Sequence, residues 1–264
     1  MHMDFGKIKS IGLEAAHRGA AVLMEKLGRL SEINKKGAID LVTDADLASE
    51  KTIIETIQAA FPDHAILAEE SGLNQKKSTY QWIIDPLDGT TNFAHSLGLF
   101  ATSVACAKDD DIICGVVFNP VTTELFSALK GAGAQLNGRP IQVSDTPEIA
   151  DSLLATGFPY NVGDILDQVM ARMARCLAAS QGVRRLGSAA LDLCYLACGR
   201  FDGYWEQNLK PWDTAAGLLI AREAGARVTD FADRDYNVHM PQLLATNGKI
   251  HQQMRDLISP EDGR

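Results

Sequence analysis

The chain has 264 residues, 46% of them hydrophobic and 22% charged, which is typical of a globular protein with a full core. Its formal net charge of −9 argues against a general nucleic-acid binder, because no excess of Lys and Arg exists to replace counterions. There is no run of 18 apolar residues, no signal-peptide pattern and no CxxC pair among the five cysteines. We therefore expect a soluble cytoplasmic protein without a membrane partner.

The first half of the chain begins with two predicted helices. Apolar residues at helical spacing predict these helices at about 5–30 and 45–61, and Thr43 or Asp44 can cap the second. The loop between them contains Lys36 and is predicted to be mobile from its composition.

A largely antiparallel sheet is predicted to follow. Runs of β-branched and aromatic residues predict strands at 65–68, 82–84, 100–107, 112–118 and 124–129. Turn residues between the last three runs predict an antiparallel meander, and Asn137-Gly138 predicts a further hairpin.

The second half of the chain alternates strands with helices. Strands are predicted at 152–156, 183–186, 202–206, 227–231 and 243–245, and helices at 164–180, 188–198, 212–224 and 249–258. This change of pattern predicts two sub-domains. An N-terminal α+β unit at 1–145 would be followed by a C-terminal α/β unit at 146–264 that closes the site.

The strongest chemical signal lies at residues 82–92. This stretch opens as a buried strand and then places two carboxylates, Asp85 and Asp88, in a turn. Two carboxylates, the backbone carbonyl of Leu87 and free N–H groups suit a hard metal ion and a phosphate. An ordinary strand-to-helix turn capped by Asp88 or Thr90 accounts for the same residues.

Three other acidic positions stand where strands or loops lead into helices. They are Glu69-Glu70, Asp46 and Asp213. Each alone fits a structural role, as a solvated turn, a first-turn helix charge or an N-cap. Together they lie where open α/β sheets gather ligands. Carboxylates without a His or Cys partner favour Mg²⁺ or Mn²⁺ over zinc.

Two motifs resemble the signatures of the inositol monophosphatase family. Residues 85–92 (DPLDGTTN) are similar to its first signature, and residues 212–217 (WDTAAG) are similar to its second. Further segments resemble the family's metal corner, its water-activating segment and its two substrate-facing stretches: 69–71, 40–46, 187–190 and 202–206. The match runs from about residue 5 to 250 in the family's order.

The resemblance implies an αβαβα sandwich of alternating helical and sheet layers, the sugar-phosphatase fold, with α+β and α/β character. It also implies a homodimer and Mg²⁺-dependent, lithium-sensitive removal of phosphate from a small alcohol. Two or three Mg²⁺ ions per site are implied, and Mn²⁺ is a possible substitute. The implied metal ligands are Glu69, Asp85, the carbonyl of Leu87, Asp88 and Asp213.

The same resemblance assigns roles around the metals. Asp46 and Thr90 would hold and deprotonate the attacking water, and Glu70 would face the same cluster. The implied substrate contacts are Gly89, Thr90, Gly187, Ser188, Ala189 and Glu206. The loop with Lys36 would order over the site.

Several functions remain open at this level. The resemblance implies myo-inositol 1-phosphate as the substrate, and Glu206 favours a polyol over a nucleotide. The same chemistry suits fructose 1,6-bisphosphate, NADP, histidinol phosphate or a 3′-phosphoadenosine nucleotide. A different class is a bacterial regulator that contacts RNA or the transcription machinery. Its support is Arg184-Arg185, which also fits a dimer or sheet-edge feature.

Overall fold

A computed structural model describes residues 5–29, 33–35, 41–74, 76–159 and 161–259. The helices are α1 Phe5–Lys26, α2 Asp44–Ala60, α3 Thr90–Ala94, α4 Leu166–Ala179, α5 Ala189–Ala197, α6 Pro211–Glu223 and α7 His251–Ile258. The strands of the first half are β1 Ile33–Lys35, β2 Leu41–Thr43, β3 Ala65–Ala68, β4 Gly72–Leu73, β5 Tyr80–Asp88, β6 Ala101–Lys108, β7 Asp111–Asn119, β8 Glu124–Leu129, β9 Ala134–Leu136 and β10 Arg139–Ile141. Those of the second half are β11 Leu153–Thr156, β12 Gly182–Arg184, β13 Gly203–Gln207, β14 Arg227–Thr229 and β15 Gln242–Thr246.

An eight-stranded sheet forms the first half, in the order β10-β9-β8-β7-β6-β5-β3-β4. From β5 to β10, each strand pairs antiparallel with the next one along the chain, which confirms the predicted meander and hairpin. The tight turns fit this arrangement, since Asn137 and Gly138 take the positive φ values that a two-residue hairpin requires. Strand β3 lies parallel to β5, so the ends of both strands reach the same edge of the sheet.

A five-stranded sheet forms the second half, in the order β12-β11-β13-β15-β14. Strands β12, β11 and β13 are parallel, whereas β15 and β14 are antiparallel. The predicted strand at 183–186 is shorter than expected. It ends at Arg184, so Arg185 follows the edge strand rather than belonging to it.

The two sheets and the helices form five layers. Side chains that alternate along β5 enter different cores: Trp82 and Ile84 pack with α1 and α2, whereas Ile83 packs with α5 and α6. The second sheet divides in the same way, since Tyr204 faces α5 and α6 while Trp205 packs with α4 and α7. The order helix, sheet, helix, sheet, helix confirms the expected αβαβα fold.

The central layer of α5 and α6 contacts both sheets and shares one hydrophobic core with them. The division into units at 1–145 and 146–264 therefore stays an interpretation of the sheet pattern. None of the helices within the described ranges is long and apolar enough to cross a membrane.

Candidate active site

The carboxyl end of β5 forms the base of the site. Its pairing with β6 shifts register between Asp85, opposite Ser103, and Asp88, opposite Ala101. The backbone N–H of Leu87 donates to Asp85 Oδ1 at 2.9 Å, which fixes that carboxylate across the irregularity. The sequence predicts that Asp85 and Asp88 lie in a turn after the strand, but β5 continues as far as Asp88. Both carboxylates therefore belong to the last part of this strand, at the sheet edge.

Gly89 turns the chain from β5 into α3. Its φ is +98°, and a Cβ at this position would lie 2.9 Å from the carbonyl oxygen of Leu99. Only glycine fits both the left-handed backbone and the close approach. Neither Asp88 nor Thr90 caps α3, because Gly89 itself is the N-cap and no side-chain capping bond forms.

A cavity of about 630 Å³ opens above this turn and receives residues from both sheets. Nearly every residue expected at the site lines it: Glu69, Glu70, Asp85, Leu87, Asp88, Gly89, Thr90, Gly187, Ser188, Ala189, Glu206 and Asp213. Asp46 does not line the cavity, but its carboxylate accepts a hydrogen bond from the hydroxyl of Thr90, which does. Lys36 lies outside the described residues, so its expected role over the site stays a prediction.

Asp46 connects the start of α2 to the cavity. One carboxylate oxygen, Oδ2, accepts from the Thr43 N–H at 2.8 Å and from the Thr43 hydroxyl at 2.6 Å, forming a capping box. The other, Oδ1, is 3.1 Å from the Thr90 hydroxyl, which lies at the same distance from the Leu87 carbonyl. Burial raises the pKa of Asp46, and the hydrogen bonds from Thr43 and Thr90 oppose that rise. Asp46 is therefore both a helix cap and the buried partner of Thr90.

We call the acidic side of the cavity the acidic wall; it consists of Glu69, Glu70, Asp85, Asp88 and Asp213. Burial raises the pKa of Asp85 well above its ordinary value, and the charges of Glu69, Asp88 and Asp213 raise it further. Such mutual repulsion favours either protons or bound cations in the cluster.

Two carboxylates of this wall, Asp88 and Asp213, accept hydrogen bonds from residues beside the wall. Asp88 Oδ2 accepts from the Ser188 hydroxyl at 2.6 Å and from the Ala190 N–H at 2.7 Å. Burial raises the pKa of Asp88 to about 6 against these bonds. Asp213 Oδ2 accepts from the Lys210 N–H at 2.7 Å, so its expected capping role is present from within α6 rather than at the N-cap.

The chemistry of the acidic wall fits a hard divalent cation. Its side chains offer only oxygen donors, and Leu87, whose carbonyl accepts from the Thr90 hydroxyl, lines the same cavity. Within the described ranges, no three His, Cys, Asp or Glu side chains are gathered closely enough to form a compact metal-binding group. The acidic wall therefore supplies a suitable donor set that is spread along one face of the cavity.

We call the other side the mixed wall; it consists of Gly157, Phe158, Arg185, Gly187 and Glu206. The Tyr204 hydroxyl donates to Glu206 Oε2. Gly157 lies directly against that carboxylate, since a Cβ there would lie 1.9 Å from Oε2. Burial raises the pKa of Glu206 to about 7, opposed by the Tyr204 hydrogen bond and the charge of Arg185.

Four residues of functional interest were not predicted in these positions. Glu50, buried on α2, accepts from the N–H groups of Glu70 and Ser71 at 2.8 and 2.9 Å and so fixes the Glu69-Glu70 corner. The sequence could have indicated this role, because helical spacing places Glu50 on the same buried face of α2 as Ile53. Asn92 joins the two halves by donating to the carbonyls of Leu99 and Leu186.

The other two unpredicted residues carry charge. Arg184 lies on the edge strand β12, in agreement with the expected sheet-edge position, but Arg185 lines the cavity. Asp192 on α5 is fully buried, and neither carboxylate oxygen has a hydrogen-bond partner among the described residues. Burial and the charges of Glu206 and Asp88 raise its pKa, while Arg185 opposes that rise.

Comparison with known proteins gives a consistent result across the chain. A sequence model of the inositol monophosphatase family matches residues 6–259. The chain is 47% identical over 251 residues to an inositol-1-monophosphatase of Synechocystis, covering 94% of this chain and 88% of that protein. It is 42% identical to the Nus factor SuhB of Haemophilus influenzae, with 95% of each chain covered.

Solved structures agree with these sequence relatives. The inositol monophosphatase of Anabaena (Nostoc) superimposes with a TM-score of 0.88 at 42% identity, covering 97% of this chain and 96% of that one. The extragenic suppressor protein suhB of Bartonella henselae superimposes with a TM-score of 0.93 at 36% identity, covering 97% and 99% of the two chains.

Proposed function

This chain belongs to the inositol monophosphatase family, and we propose that it hydrolyses phosphate monoesters with divalent metal ions, acting on myo-inositol 1-phosphate. The observation that carries the proposal is the meeting of the acidic wall with the hydrogen-bonded pair Thr90 and Asp46 at one cavity. Phosphoryl transfer mainly requires positioning and charge neutralisation, and this arrangement offers both.

The proposed metal ligands are the carboxylates and the one carbonyl that border the end of β5: Glu69, Asp85, Leu87, Asp88 and Asp213. Mg²⁺ suits these oxygen donors, and Mn²⁺ is the closest substitute. When bound, such ions lower the pKa of water and neutralise charge on the phosphate oxygens. Lithium inhibition, implied by the resemblance, is part of the same proposal.

The chain's own residues would hold and deprotonate the attacking water. The Thr90 hydroxyl lies 3.1 Å from both Asp46 Oδ1 and the Leu87 carbonyl, so it is oriented at the cavity surface. The Thr90 hydroxyl donates its hydrogen bond to Asp46, so its oxygen can accept a hydrogen bond from a water molecule. A proton taken from that water can pass through Thr90 to Asp46. Glu70 borders the same space and is proposed to face the water.

The substrate contacts divide between the two walls. The N–H groups of Gly89 and Thr90 at the start of α3 are proposed to bind the phosphate. Hydroxyls of the leaving alcohol would meet Glu206 and the backbone at Gly187–Ala189. Because the pKa of Glu206 is about 7, both forms of its carboxyl group are present near neutral pH. The protonated form can donate a hydrogen bond to a substrate hydroxyl, and the ionised form can accept one.

The test is phosphate release from a substrate panel at a fixed Mg²⁺ concentration. Inositol 1-phosphate is compared with fructose 1,6-bisphosphate, NADP, histidinol phosphate and a 3′-phosphoadenosine nucleotide. We expect inositol 1-phosphate to have the highest kcat/KM, and Asp88→Asn to lose most of it. Asp145→Asn is the matched control, since the Asp145 side chain is 89% exposed and forms an ion pair with Lys249. A near-normal rate for Asp88→Asn would refute the metal assignment, and a better substrate would replace inositol 1-phosphate.

A second candidate function is favoured by the names of several relatives. Proteins called Nus factor SuhB from three bacteria are 40–42% identical to this chain, each over 95% of both chains. These names favour a role in transcription as the second candidate function, beside or in place of catalysis. Co-purification with RNA polymerase from its host should persist in the double variant Asp85→Asn/Asp213→Asn if this function is separate from the metal site. Absence of RNA polymerase with the wild-type chain would reject it.

The homodimer and the cytoplasmic location expected from sequence are retained as parts of this proposal. All five cysteines are free thiols and four are buried, which suits a reducing compartment. Sedimentation at several protein concentrations would test the dimer.

A further inference from the structure

The buried face of α2 carries a serine, Ser49, that contacts the end of β5. Ser49 is fully buried, and its hydroxyl donates to the Pro86 carbonyl oxygen at 3.0 Å. That carbonyl lies between Asp85 and Asp88, where the pairing of β5 with β6 shifts register. Pro86 also lacks a backbone N–H, so this segment has fewer backbone donors than a regular strand. Ser49 therefore links α2 to the irregular segment that separates the two carboxylates.

Close packing between helices holds the Ser49 hydroxyl in place. Helix α1 approaches α2 at Gly19, where a Cβ would lie 2.9 Å from Ser49 Oγ and 2.6 Å from two side-chain carbons of Ile53. A residue with a Cβ could not make this approach without displacing its neighbours. The hydroxyl thus has the backbone of α1 on one side and the Pro86 carbonyl on the other. In such a close-packed interior, small displacements pass to neighbouring groups.

The same face of α2 holds two other parts of the site. Asp46 accepts from the Thr90 hydroxyl, and Glu50 accepts from the N–H of Glu70. Ser49 and Glu50 follow Asp46 by three and four residues, so both lie beside it on the helix surface. One rigid helix therefore contacts three segments that are distant from one another in the sequence. The geometry of the helix sets the spacing between those segments.

We propose that Ser49 is a positioning residue for metal binding. Its hydrogen bond to Pro86 holds the segment between Asp85 and Asp88 and thereby sets the spacing of these two carboxylates. Ser49 does not line the cavity, so it acts through β5 and not by touching a metal ion or the substrate. Metal ligands must be held within about 0.5 Å of their working positions, which a loose strand end does not provide. The role of Ser49 rests on the proposed function, because the spacing matters for metal only if both carboxylates bind it.

A simpler role for Ser49 is to satisfy a buried carbonyl group. In that role the hydroxyl would stabilise the fold without affecting the metal ions. Removing it would then lower the melting temperature and leave the metal affinity unchanged. The two roles therefore differ in a quantity that can be measured without turnover, which is the affinity for Mn²⁺.

The experiment measures Mn²⁺ binding to the full chain by electron paramagnetic resonance of the free ion, without substrate. The proteins are wild type, Ser49→Ala, Ser49→Cys and the control Thr52→Ala. Ser49→Cys keeps a weaker donor at the same position. Thr52 lies on the same helix, but its hydroxyl donates to the Ala48 carbonyl at 3.0 Å, within α2 itself. Thermal melting in chelator checks that each variant is folded.

We expect Ser49→Ala to bind Mn²⁺ about five- to tenfold more weakly than wild type, as the loss of one buried hydrogen bond implies. Ser49→Cys should lie between the two, and Thr52→Ala should keep the wild-type affinity. With inositol 1-phosphate, Ser49→Ala should need more Mg²⁺ for half-maximal activity but keep the wild-type KM at saturating Mg²⁺.

Two results would overturn the role of Ser49. One is an unchanged Mn²⁺ affinity in both Ser49 variants, whatever their melting temperatures. The other is an equal weakening in Thr52→Ala, which would indicate a general effect of α2 stability and not a contact with β5.

The failure of the proposed function gives a different pattern. If wild type binds Mn²⁺ but releases no phosphate from any monoester with Mg²⁺, the proposed hydrolysis is wrong. The comparison of Ser49→Ala with wild type then still decides whether Ser49 positions the metal ligands. If wild type binds no Mn²⁺, the proposed metal site is wrong and the role of Ser49 is rejected with it.

Discussion

The acidic wall and the mixed wall of the cavity are built in opposite ways. The acidic wall comes from the ends of β3 and β5 and from the start of α6; burial raises the pKa values of Asp85 and Asp213, and the surrounding carboxylates raise them further. The mixed wall comes from the loops that follow β11 and β12 and from Glu206 on β13, and the charge of its one arginine acts on the buried Glu206. The acidic wall is therefore incomplete without cations or protons, whereas the mixed wall contains its own counter-charge. This contrast supports the proposal that one side of the site binds metal ions and that the other side recognises the shape and charge of the substrate.

The largest expected effect is at the centre of the acidic wall. Asp85→Asn keeps the oxygen that accepts from the Leu87 N–H but removes a charge that interacts with those of Glu69, Asp88 and Asp213. We expect kcat/KM with Mg²⁺ to fall by about 10³-fold, since lost metal stabilisation amounts to several kcal/mol. In chelator, the melting temperature should rise because repulsion is relieved. A fall in activity with no rise in melting temperature would contradict the claim that repulsion between carboxylates destabilises the acidic wall in the absence of metal.

The pH dependence of stability tests the same repulsion. Folding raises the pKa of Asp88 from 3.8 to about 6 and that of Glu206 from 4.5 to about 7. The folded state therefore binds more protons than the unfolded state in this interval, and its stability falls as pH rises through it. In chelator, the free energy of unfolding should drop by a few kcal/mol between pH 4 and pH 7. Added Mg²⁺ should reduce that drop. The measurement is a set of unfolding curves at each pH, and a rise in stability over this interval would contradict the account.

A smaller effect is expected from the mixed wall. Gly157→Ala would place a Cβ 1.9 Å from Glu206 Oε2, so the carboxylate must move. We expect KM for inositol 1-phosphate to rise about tenfold, because a hydrogen bond to a charged group is lost. The Mg²⁺ concentration that gives half-maximal activity should stay the same. Gly163→Ala is the control, since a Cβ there meets nothing within 4 Å. A changed Mg²⁺ requirement in Gly157→Ala would mean that the two walls are not separate.

The smallest effect is expected behind the acidic wall. Glu50→Gln keeps one of the two acceptors that hold the N–H groups of Glu70 and Ser71. Losing one such bond should weaken Mg²⁺ activation a few-fold and lower stability by about 1 kcal/mol. Glu55→Gln on the same helix is the control, since its side chain is 66% exposed. Equal effects of the two variants would show that Glu50 does not position the corner.

The acidic wall was largely predictable because its residues lie in short, chemically distinct segments. Asp85, Asp88 and Glu69-Glu70 end strands that their β-branched and aromatic residues identify. Asp46 fits a capping box that sequence predicts, but its contact with Thr90 joins residues 44 positions apart. That contact depends on how α2 packs against β5, which periodicity alone does not determine.

The mixed wall was only partly predictable for the same physical reason. Arg185 and Phe158 are single residues in loops, and their meeting depends on parallel strands brought together by crossover helices. The expected strand at 183–186 included Arg185, whereas β12 ends at Arg184 and leaves Arg185 at the cavity. The five-layer order was expected from the family resemblance, and the structure agrees, since successive side chains of β5 and of β13 enter different cores.

The most direct test of the central claim is to count the divalent ions that the chain binds. Mn²⁺ binding is measured near pH 7.5 by electron paramagnetic resonance of the free ion, for wild type, Asp85→Asn and Gly157→Ala. The account predicts at least two saturable ions per chain in wild type and in Gly157→Ala, and loss of this binding in Asp85→Asn. Undiminished Mn²⁺ binding by Asp85→Asn would contradict the claim that the acidic wall is the metal site.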